Sequence, residues 1–346
     1  MKIVVLAGGW SPERNVSWSS GTLIANALIR KGHRVLLLDS FLGLPEAEGQ
    51  NAEDFFRTQT MEPPEISKKE PDLQQLRRQA GNPRGYIGPE VLRLCEAADV
   101  VYMALHGDMG ENGQIQALLD LHGVVYTGTG YIGSLLAMDK DLSKRLLHTQ
   151  GVLTPEWLYL DMHDERLLEK CRQFGLPLAV KPCSCGSSVG VSLIETWEGL
   201  EFAVRQAFSW ADHIIVERRI YGRELTAAVL DGEVLPPVEI LPQDGFYDYE
   251  HKYQTGATTE LCPAPIDSAV LQTVKETSKK AFSILRLRDY ARFDYILDRE
   301  DRLWCLEANS LPGMTPNSLL PRMAAEAGIG YENLCDTVVK MAASRK

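Results

Sequence analysis

The first 38 residues constrain the fold most strongly, because they predict a β-α-β unit. An apolar strand (Lys2 to Ala7), a helix that ends at Gly32 and a second strand (Val35 to Leu38) follow one another closely. Such a unit predicts parallel strands with a helix packed on the sheet. Ligands of parallel sheets bind beyond the carboxyl ends of the strands, so the loop that carries Glu13 is predicted at a ligand edge. Taken alone, Glu13 is equally consistent with a surface acid.

Length and composition exclude several classes of protein. A chain of 346 residues exceeds one ordinary core and predicts two or three domains. The net charge of −11 argues against a general nucleic-acid binder or a binder of anionic membranes. The seven cysteines are odd in number and scattered, so no disulfide framework is predicted, and Cys183 and Cys185 are interpreted as structural thiols. No apolar run approaches transmembrane length, and the N-terminal run is too short for a signal peptide, so we expect a cytoplasmic protein.

A strand pair near the C-terminus carries oxygen ligands. The strand from Ala291 to Leu297 is followed by a turn and by a short apolar run that ends in Glu307 and Asn309. The two-residue spacing places both side chains on one strand face. A carboxylate and an amide oxygen are ligands of the type that Mg²⁺ takes beside phosphate. In the Gly- and Pro-shaped loop that follows, backbone N–H groups and Ser318 can be presented to an anion.

The turn decides how these two strands pair. With a two-residue turn at positions 299–300, Arg292 lies opposite Glu307. Asp294 then lies opposite Cys305, and a metal ion can bridge it diagonally to Glu307. Oxygen ligands and an arginine on one face predict phosphate handling. A solvated hairpin face with scattered charges is the interpretation that the pattern leaves open beside it.

Two glycine-rich segments suggest nucleotide binding. Residues Gly128 to Gly133 match G-x-G-x-x-G between a strand and a helix, but no acid ends a strand about 20 residues later. A nicotinamide-dependent oxidoreductase that uses this segment is kept as an alternative. Further on, a strand ends at Lys181, and the loop Gly186 to Gly190 can fold over phosphate oxygens. This loop is not a Walker A motif, since a strand follows it, and a plain hairpin turn remains the other interpretation.

The remaining segments support these features. A single helix is predicted from Ser134 to Gln150, with Lys140 near its start and off the apolar stripe formed by Leu135, Met138, Leu142 and Leu146. Glu217 and Glu224 could bond a nucleoside, although strand-end acids are more often just exposed. The aromatic and charged loop from Phe246 to Tyr253 could close over a site.

Taken together, these pieces resemble the ATP-grasp superfamily and, within it, the D-alanine–D-alanine ligases. The matching blocks are GGWSPERNVS, ALHGDMGENGQIQ, YTGTGY with AMDK, VKPCSCGSSVGVS, VERRIYGRELT, FYDYEHKY, ARFDY and LEANSLPGMTPNSLLP. The resemblance implies a mixed α/β (α+β) chain of three domains. These are an N-terminal parallel α/β domain (1–128, with an excursion at 45–83) and central (129–217) and C-terminal (218–346) antiparallel-sheet domains that clasp ATP.

The resemblance also implies a role for each site residue. ATP would be held by Lys140, Lys181, Ser188, Glu217, Arg218, Ile220, Glu224, Phe246 and Lys252. Two Mg²⁺ (or Mn²⁺) ions would be held by Asp294, Glu307 and Asn309. The substrates would contact Glu13, Val16, His106, Arg292, Ser318 and Leu319. The catalytic set would be Glu13, Ser187, Tyr253, Arg292 and Gly313.

The implied reaction joins two D-alanines through an acyl phosphate at the expense of ATP, for peptidoglycan precursors, in an enzyme that is commonly a homodimer. A carboxylate does not react with an amine until it is activated, which explains the need for ATP. Ligation of D-alanine to D-serine or D-lactate is the close alternative, and Tyr253 is the hypothesised selector of the acceptor. A catalytically inactive ATP-sensing module is disfavoured, because every implied metal and phosphate ligand is present.

Overall fold

The structure is a computed structural model that describes residues 1–63, 71–80, 84–186, 189–242 and 258–345. In these ranges the chain forms three sheets. The first is parallel, as the N-terminal β-α-β unit predicts, with the strand order β2-β1-β3. Its elements are β1 (Lys2–Ala7), α1 (Arg14–Arg30), β2 (Arg34–Asp39), α2 (Leu73–Gln79), α3 (Val91–Glu96), β3 (Val100–Met103), α4 (Asp108–Glu111) and α5 (Gln114–Leu121).

The second sheet is antiparallel and is covered by helices. Its strand order is β4-β7-β5-β6. The elements of this region are α6 (Tyr131–Met138), α7 (Lys140–Thr149), β4 (Trp157–Asp161), α8 (Leu167–Phe174), β5 (Leu178–Pro182), β6 (Ser192–Ile194), α9 (Leu200–Phe208) and β7 (His213–Arg218).

The third sheet is also antiparallel and carries the hairpin that the sequence singles out. Its order is β11-β10-β8-β12-β13, with β9 paired to β8. Its elements are β8 (Arg223–Leu230), β9 (Glu233–Val234), β10 (Val238–Pro242), β11 (Thr258–Leu261), α10 (Ser268–Ile284), β12 (Tyr290–Leu297), β13 (Leu303–Asn309), α11 (Leu319–Glu326) and α12 (Tyr331–Ala343). Short 3₁₀ turns lie at Pro45–Ala47, Ala52–Phe55 and Trp197–Gly199.

The hydrophobic cores show how these layers are joined. The core of the first sheet includes Leu6 and Val101 together with Leu320 and Val338 from the last two helices. The end of the chain therefore returns to the first layer. One face of the third sheet shares this core through residues such as Val238. Its other face packs on α10 around residues such as Phe293. The second sheet has its own core with α8 and α9.

The excursion at 45–83 contains the short helix α2. Asp72 caps α2 by accepting a hydrogen bond from the Gln75 N–H at 2.8 Å. The indole of Trp10 donates to the Leu73 carbonyl at 3.1 Å, and the Arg77 guanidinium lies 4.3 Å from the centre of the Trp10 ring. The excursion thus rests on the loop that leads to Glu13.

The prediction of one helix from Ser134 to Gln150 is wrong. Asp139 has an extended backbone (φ −82°, ψ 103°), which ends α6, and its carboxylate caps α7 by accepting from the Leu142 N–H at 2.9 Å. Leu135 and Leu142, two members of the predicted apolar stripe, are exposed. A new helix therefore starts at Lys140, and it buries a different face.

The predicted register of the β12–β13 hairpin is also wrong. Asp294 lies opposite Glu307, and Arg292 lies opposite Asn309. Two irregularities cause the shift. The turn spans three residues with Asp301 in the left-handed region (φ 56°), and the register shifts again between Asp294 and Tyr295. Cys305 lies opposite Tyr295 and is buried on the other face.

Among the described residues, no helix is both long and apolar enough to span a bilayer.

Candidate active site

The second sheet contributes a buried carboxylate between two lysines. Glu217 on β7 is 2% exposed, and the Lys144 Nζ lies 2.9 Å from its Oε2. Its Oε1 is paired with the Lys181 ammonium on β5. Burial alone would raise the pKa of Glu217, but the two ammonium groups outweigh it and hold this pKa at about 2. Glu217 is therefore ionised at neutral pH.

Lys144 is a site residue that the sequence reasoning missed. Its side chain is 1% exposed, and its Nζ also donates to Thr154 Oγ1 at 2.7 Å and lies 5.1 Å from the centre of the Trp157 ring. On a helix expected to bury leucines, a lysine in this position is expected to face solvent. Its spacing of four residues from Lys140 could have revealed it, because residues i and i+4 share a helix face.

Lys140, the first residue of α7, links two other parts of the site. Its N–H donates to the Cys183 carbonyl at 3.0 Å, and its ammonium donates to the Cys185 carbonyl. The same ammonium lies 3.7 Å from Glu307 Oε2. The start of the glycine-rich loop and the hairpin of the third sheet thus meet at one lysine.

The hairpin face holds the predicted metal ligands and the predicted catalytic arginine. Arg292 pairs with both carboxylate oxygens of Asp294, from Nε at 3.0 Å and Nη2 at 2.9 Å. Thr226 on the neighbouring β8 donates to Asp294 Oδ1 at 2.7 Å. Asp294 faces Glu307 across the hairpin, and Asn309 Oδ1 accepts from the Leu311 N–H at 3.0 Å.

The chemistry of this oxygen set suits a hard divalent cation. Two carboxylates that face each other, with an amide two residues along the strand, are ligands that Mg²⁺ and Mn²⁺ accept. Within the described ranges, no group of three or more His, Cys, Asp or Glu side chains could hold a metal ion. A metal at the hairpin therefore needs Asn309 or substrate oxygens beside the two acids.

The loop after the first strand and the loop after β3 meet around Glu13. Gly107 has φ +68°, and a Cβ at this position would lie 2.7 Å from Glu13 Oε2, so the close approach requires glycine. The neighbouring His106 is buried, with its Nδ1 3.7 Å from Glu111 Oε1. Burial alone would lower the pKa of His106, but the carboxylates of Glu111 and Glu13 outweigh it and raise this pKa.

Glu111 is a second residue that the sequence reasoning did not single out. Its Oε2 would lie 3.7 Å from a Cβ built on Gly186, so it approaches the start of the glycine-rich loop. The signal was present in the sequence, since Glu111 belongs to the glycine-rich turn that follows His106. No described residue hydrogen-bonds to His106 Nε2, which leaves that ring nitrogen available to a partner.

The loop after β13 is held by its own hydrogen bonds. Ser318 Oγ accepts from the Thr315 N–H at 3.2 Å and lies 2.8 Å from Thr315 Oγ1. A Cβ at Gly313 would lie 3.0 Å from Ser318 Oγ, so this glycine lets the loop fold tightly. Leu319 begins α11 and is buried. Gly313 and Ser318 are thus brought together beyond the metal-ligand strand.

The other predicted site residues differ in location and in burial. Val16 lies in the first turns of α1, Ile220 lies between β7 and β8, and Glu224 lies on β8, all three half-buried. Arg218 is turned elsewhere: its guanidinium donates to the Gly175 carbonyl at 2.9 Å and lies 4.5 Å from the centre of the Phe174 ring. The remaining predictions lie outside the described residues: Ser187, Ser188, Phe246, Lys252 and Tyr253.

The G-x-G-x-x-G segment has a structural environment that explains its glycines. The Gly128 N–H donates to Asp289 Oδ2 at 2.8 Å, and its carbonyl accepts from Arg288 Nε at 2.9 Å. A Cβ at Gly133 would lie 2.6 Å from the Arg286 carbonyl. The segment packs against the chain that enters β12, and this arrangement gives the dinucleotide-binding alternative no support.

Two antiparallel sheets whose lysines and acids face one another, next to a parallel α/β layer, are the arrangement of ATP-grasp ligases. The chain matches the family models described as D-ala D-ala ligase N-terminus over residues 2–129 and D-ala D-ala ligase C-terminus over residues 146–340. The chain belongs to the D-alanine–D-alanine ligase family.

Individual relatives agree with this assignment over the whole chain. The D-alanine–D-alanine ligase of Pediococcus pentosaceus is 42% identical over 98% of this chain and 97% of its own length. That of Lacticaseibacillus casei is 39% identical over 98% and 95%. The crystal structure of the Bacillus anthracis D-alanine–D-alanine ligase complexed with ATP superposes with a TM-score of 0.77 at 25% identity, covering 100% of this chain and 98% of that one.

Proposed function

We propose that this chain ligates two D-alanine molecules to D-alanyl-D-alanine, with ATP converted to ADP and phosphate, for peptidoglycan precursor synthesis. The observation that carries the proposal is the meeting of Lys140 with Glu307 at 3.7 Å. At this point, a phosphate-binding lysine of one antiparallel sheet region reaches the proposed metal ligands of the other. Triphosphate bound there would lie between the glycine-rich loop and the hairpin.

In this proposal, ATP is held between the second and third sheets. Lys140 and Lys181 supply positive charge for the phosphates, and Glu217 and Glu224 accept hydrogen bonds from the nucleoside. Glu217 is suited to this role because its low pKa keeps it an acceptor at neutral pH. Ile220 supplies backbone groups and apolar contact. Arg218 supports β7 from the far side, against Gly175.

Asp294, Glu307 and Asn309 would hold two Mg²⁺ or Mn²⁺ ions. When bound, such ions neutralise charge on the phosphoryl group in transfer. The protein's own contribution at this face is to hold the oxygen ligands in place. Thr226 fixes one oxygen of Asp294, and the Leu311 N–H fixes the Asn309 oxygen.

The two amino acids would bind on either side of Arg292. Glu13 anchors the ammonium group of the first D-alanine, with His106 and Val16 beside it, and Ser318 and Leu319 seat the second. Arg292 and the Gly313 N–H would donate to the oxyanion of the tetrahedral intermediate. Because Arg292 is already held by both oxygens of Asp294, its guanidinium is oriented before substrate arrives.

The reaction proceeds in two steps. A carboxylate oxygen of the first D-alanine attacks the γ-phosphorus, the bond to the β-γ bridging oxygen breaks, and ADP leaves. The deprotonated amine of the second D-alanine then attacks the acyl carbon. A peptide bond forms as the C–O bond to phosphate breaks, and the amine proton is released. Exclusion of water protects the acyl phosphate between the steps.

Three further features belong to the same proposal. The chain is divided into domains at about residues 128 and 217, it works as a homodimer, and it acts in the cytoplasm, where ATP is available. The boundary at about residue 217 is supported by the separate core of the second sheet, whose buried residues run from Leu160 to Val216.

Phosphate release from ATP, measured with D-alanine, D-serine and D-lactate alone and in pairs, tests the proposed activity. We expect release with D-alanine alone and dipeptide as the product. If more phosphate is released when D-alanine is paired with D-serine or D-lactate, that compound and not D-alanine is the acceptor. Absence of any release that depends on D-alanine would overturn the proposal.

A further inference from the structure

Glu217 on β7, Lys181 on β5 and Lys144 on α7 form a largely buried set with an excess of one positive charge. Glu217 has one carboxylate oxygen on Lys144 and the other on Lys181. Burial of a carboxylate is tolerated only when it is paired and hydrogen-bonded. One lysine would be enough to neutralise Glu217, so the presence of two needs a reason.

The two lysines differ in their exposure and in their partners. Lys144 is 1% exposed, and its ammonium bonds to Glu217 and to Thr154, both of which lie inside the layer. The Lys181 side chain is 12% exposed. Burial alone would lower the pKa of Lys181, but Glu217, Glu307 and Glu224 outweigh it and raise this pKa. Lys181 therefore lies at the boundary between Glu217 and the acids of the third sheet.

Helix α7 separates two tasks on one face. Lys140 and Lys144 are four residues apart and are both buried, one turn from each other. Lys140 is directed to the glycine-rich loop and to Glu307, whereas Lys144 is directed to Glu217. The two lysines of this helix thus contact different partners within the same proposed nucleotide site.

We propose that Lys144 is a positioning residue that acts as the permanent counter-ion of Glu217 and thereby allows Lys181 to exchange Glu217 for a phosphate of ATP. The inference rests on the proposed function, because it takes Glu217 and Lys181 to be ATP ligands. With Lys144 in place, Glu217 keeps one paired oxygen when Lys181 moves. Without Lys144, Lys181 is the only charge partner that the described residues offer this buried carboxylate, and ATP must break that pair.

The test is Lys144→Met, which keeps the length of the side chain and removes its charge. We expect the KM for ATP to rise at least about tenfold, with a smaller change in the KM for D-alanine, because a buried ion pair must now be broken for ATP to bind. Arg145→Met is the matched control. This residue lies on the same helix, is 59% exposed and pairs with Asp141 at 2.7 Å, so the KM for ATP should not change.

A second variant distinguishes positioning from a role in stability. In the background Glu217→Gln, Lys181 has no ion pair with residue 217 to break, so adding Lys144→Met should leave the KM for ATP almost unaltered. An unchanged KM for ATP in Lys144→Met, or the same fold-change in both backgrounds, would overturn the inference. If Lys144→Met alone does not fold, Glu217→Gln is compared with the double variant. A difference in the KM for ATP between these two would overturn the inference.

Lys181→Met separates this inference from the proposed function. If Lys181→Met leaves the KM for ATP unchanged, the assignment of the nucleotide site itself fails. If Lys181→Met raises the KM and Lys144→Met does not, only the role of Lys144 fails.

Discussion

The proposed nucleotide end and the proposed amino-acid end of the cleft are built in different ways. At the nucleotide end, Lys144, Lys181 and Glu217 lie on a helix and two strands, and each has its charge partner inside the protein. At the amino-acid end, Glu13 and Ser318 lie where loops meet the starts of helices. Their positions depend on the close approach of glycines at 107 and 313.

The difference shows how the two ends achieve their geometry. Buried, paired charges on regular elements are oriented before a ligand arrives, so the nucleotide end relies on electrostatic preorganisation. The loops of the amino-acid end depend on positions without a Cβ, and at Gly107 also on a left-handed backbone conformation that glycine adopts without strain. Charge-removing substitutions should therefore test one end, and backbone substitutions should test the other. Arg292 lies between them, on a strand of the third sheet.

The largest effect is expected for Arg292→Ala. Removal of one donor to a developing oxyanion costs about 10²–10³-fold in kcat, and the substitution also removes both bonds to Asp294. Steady-state kinetics with saturating ATP measures it. Arg302→Ala is the matched control, because Arg302 lies on the same hairpin but is exposed and pairs with Asp298. Equal losses in the two variants would contradict the role of Arg292.

A large effect is also expected on the pH dependence of stability. The folded pKa of Glu217 is about 2, below its ordinary value of 4.5. Because the pKa is lowered on folding, Glu217 stabilises the fold fully above about pH 4.5, and this contribution is lost as the pH falls towards about 2. Linkage gives it a size on the order of 3 kcal/mol.

Urea unfolding between pH 2 and pH 5.5 measures this contribution. The double variant Glu217→Gln with Lys144→Met removes the carboxylate and one of its lysines together. Its free energy of unfolding should fall less steeply below pH 4.5 than that of the parent chain. Parallel pH profiles for the two proteins would show that Glu217 does not carry the effect.

A smaller effect is expected at the amino-acid end for Gly107→Ala. A Cβ there meets Glu13 Oε2 at 2.7 Å, and the φ of +68° adds strain. We expect the KM for D-alanine to rise about tenfold, with the KM for ATP unchanged. Gly123→Ala is a matched control, since Gly123 has φ +65° but no atom within 4 Å of its Cβ position. If both variants raise the KM for D-alanine equally, backbone strain and not Glu13 is responsible.

The smallest effect is expected for Thr226→Val, which removes the hydroxyl bonded to Asp294 at 2.7 Å and keeps the shape of the side chain. A single hydrogen bond to a charged group contributes about 1.5–3 kcal/mol at most, and Arg292 still holds Asp294, so we expect a loss in kcat/KM of about threefold to tenfold. Raising the Mg²⁺ concentration should restore part of this loss. No response to Mg²⁺ would separate Thr226 from the metal-ligand face.

The sequence was sufficient for the layers of the fold, but not for the geometry of the candidate site. Apolar strands such as Lys2–Ala7 and the oxygen ligands at Glu307 and Asn309 follow local periodicity, which a single sequence contains. The register of the hairpin does not, because it depends on the left-handed Asp301 and on a bulge. Both add a residue to one strand without changing the alternation nearby.

Tertiary packing explains why Lys144 was not singled out. Its helix was predicted to continue through Asp139 and to bury leucines. The break at Asp139 rotates α7 so that polar residues are buried instead. Arg218, the neighbour of the buried Glu217, has its side chain on the opposite face of β7, as strand alternation predicts.

The most direct test of the central claim, that the two ends of the cleft act on one activated carboxylate, is the path of oxygen. D-Alanine labelled with ¹⁸O in its carboxylate is incubated with the protein, ATP and Mg²⁺, and the released phosphate is analysed by mass spectrometry. An acyl phosphate predicts one ¹⁸O atom transferred to each phosphate formed with a dipeptide. Unlabelled phosphate, formed together with the dipeptide, would contradict it.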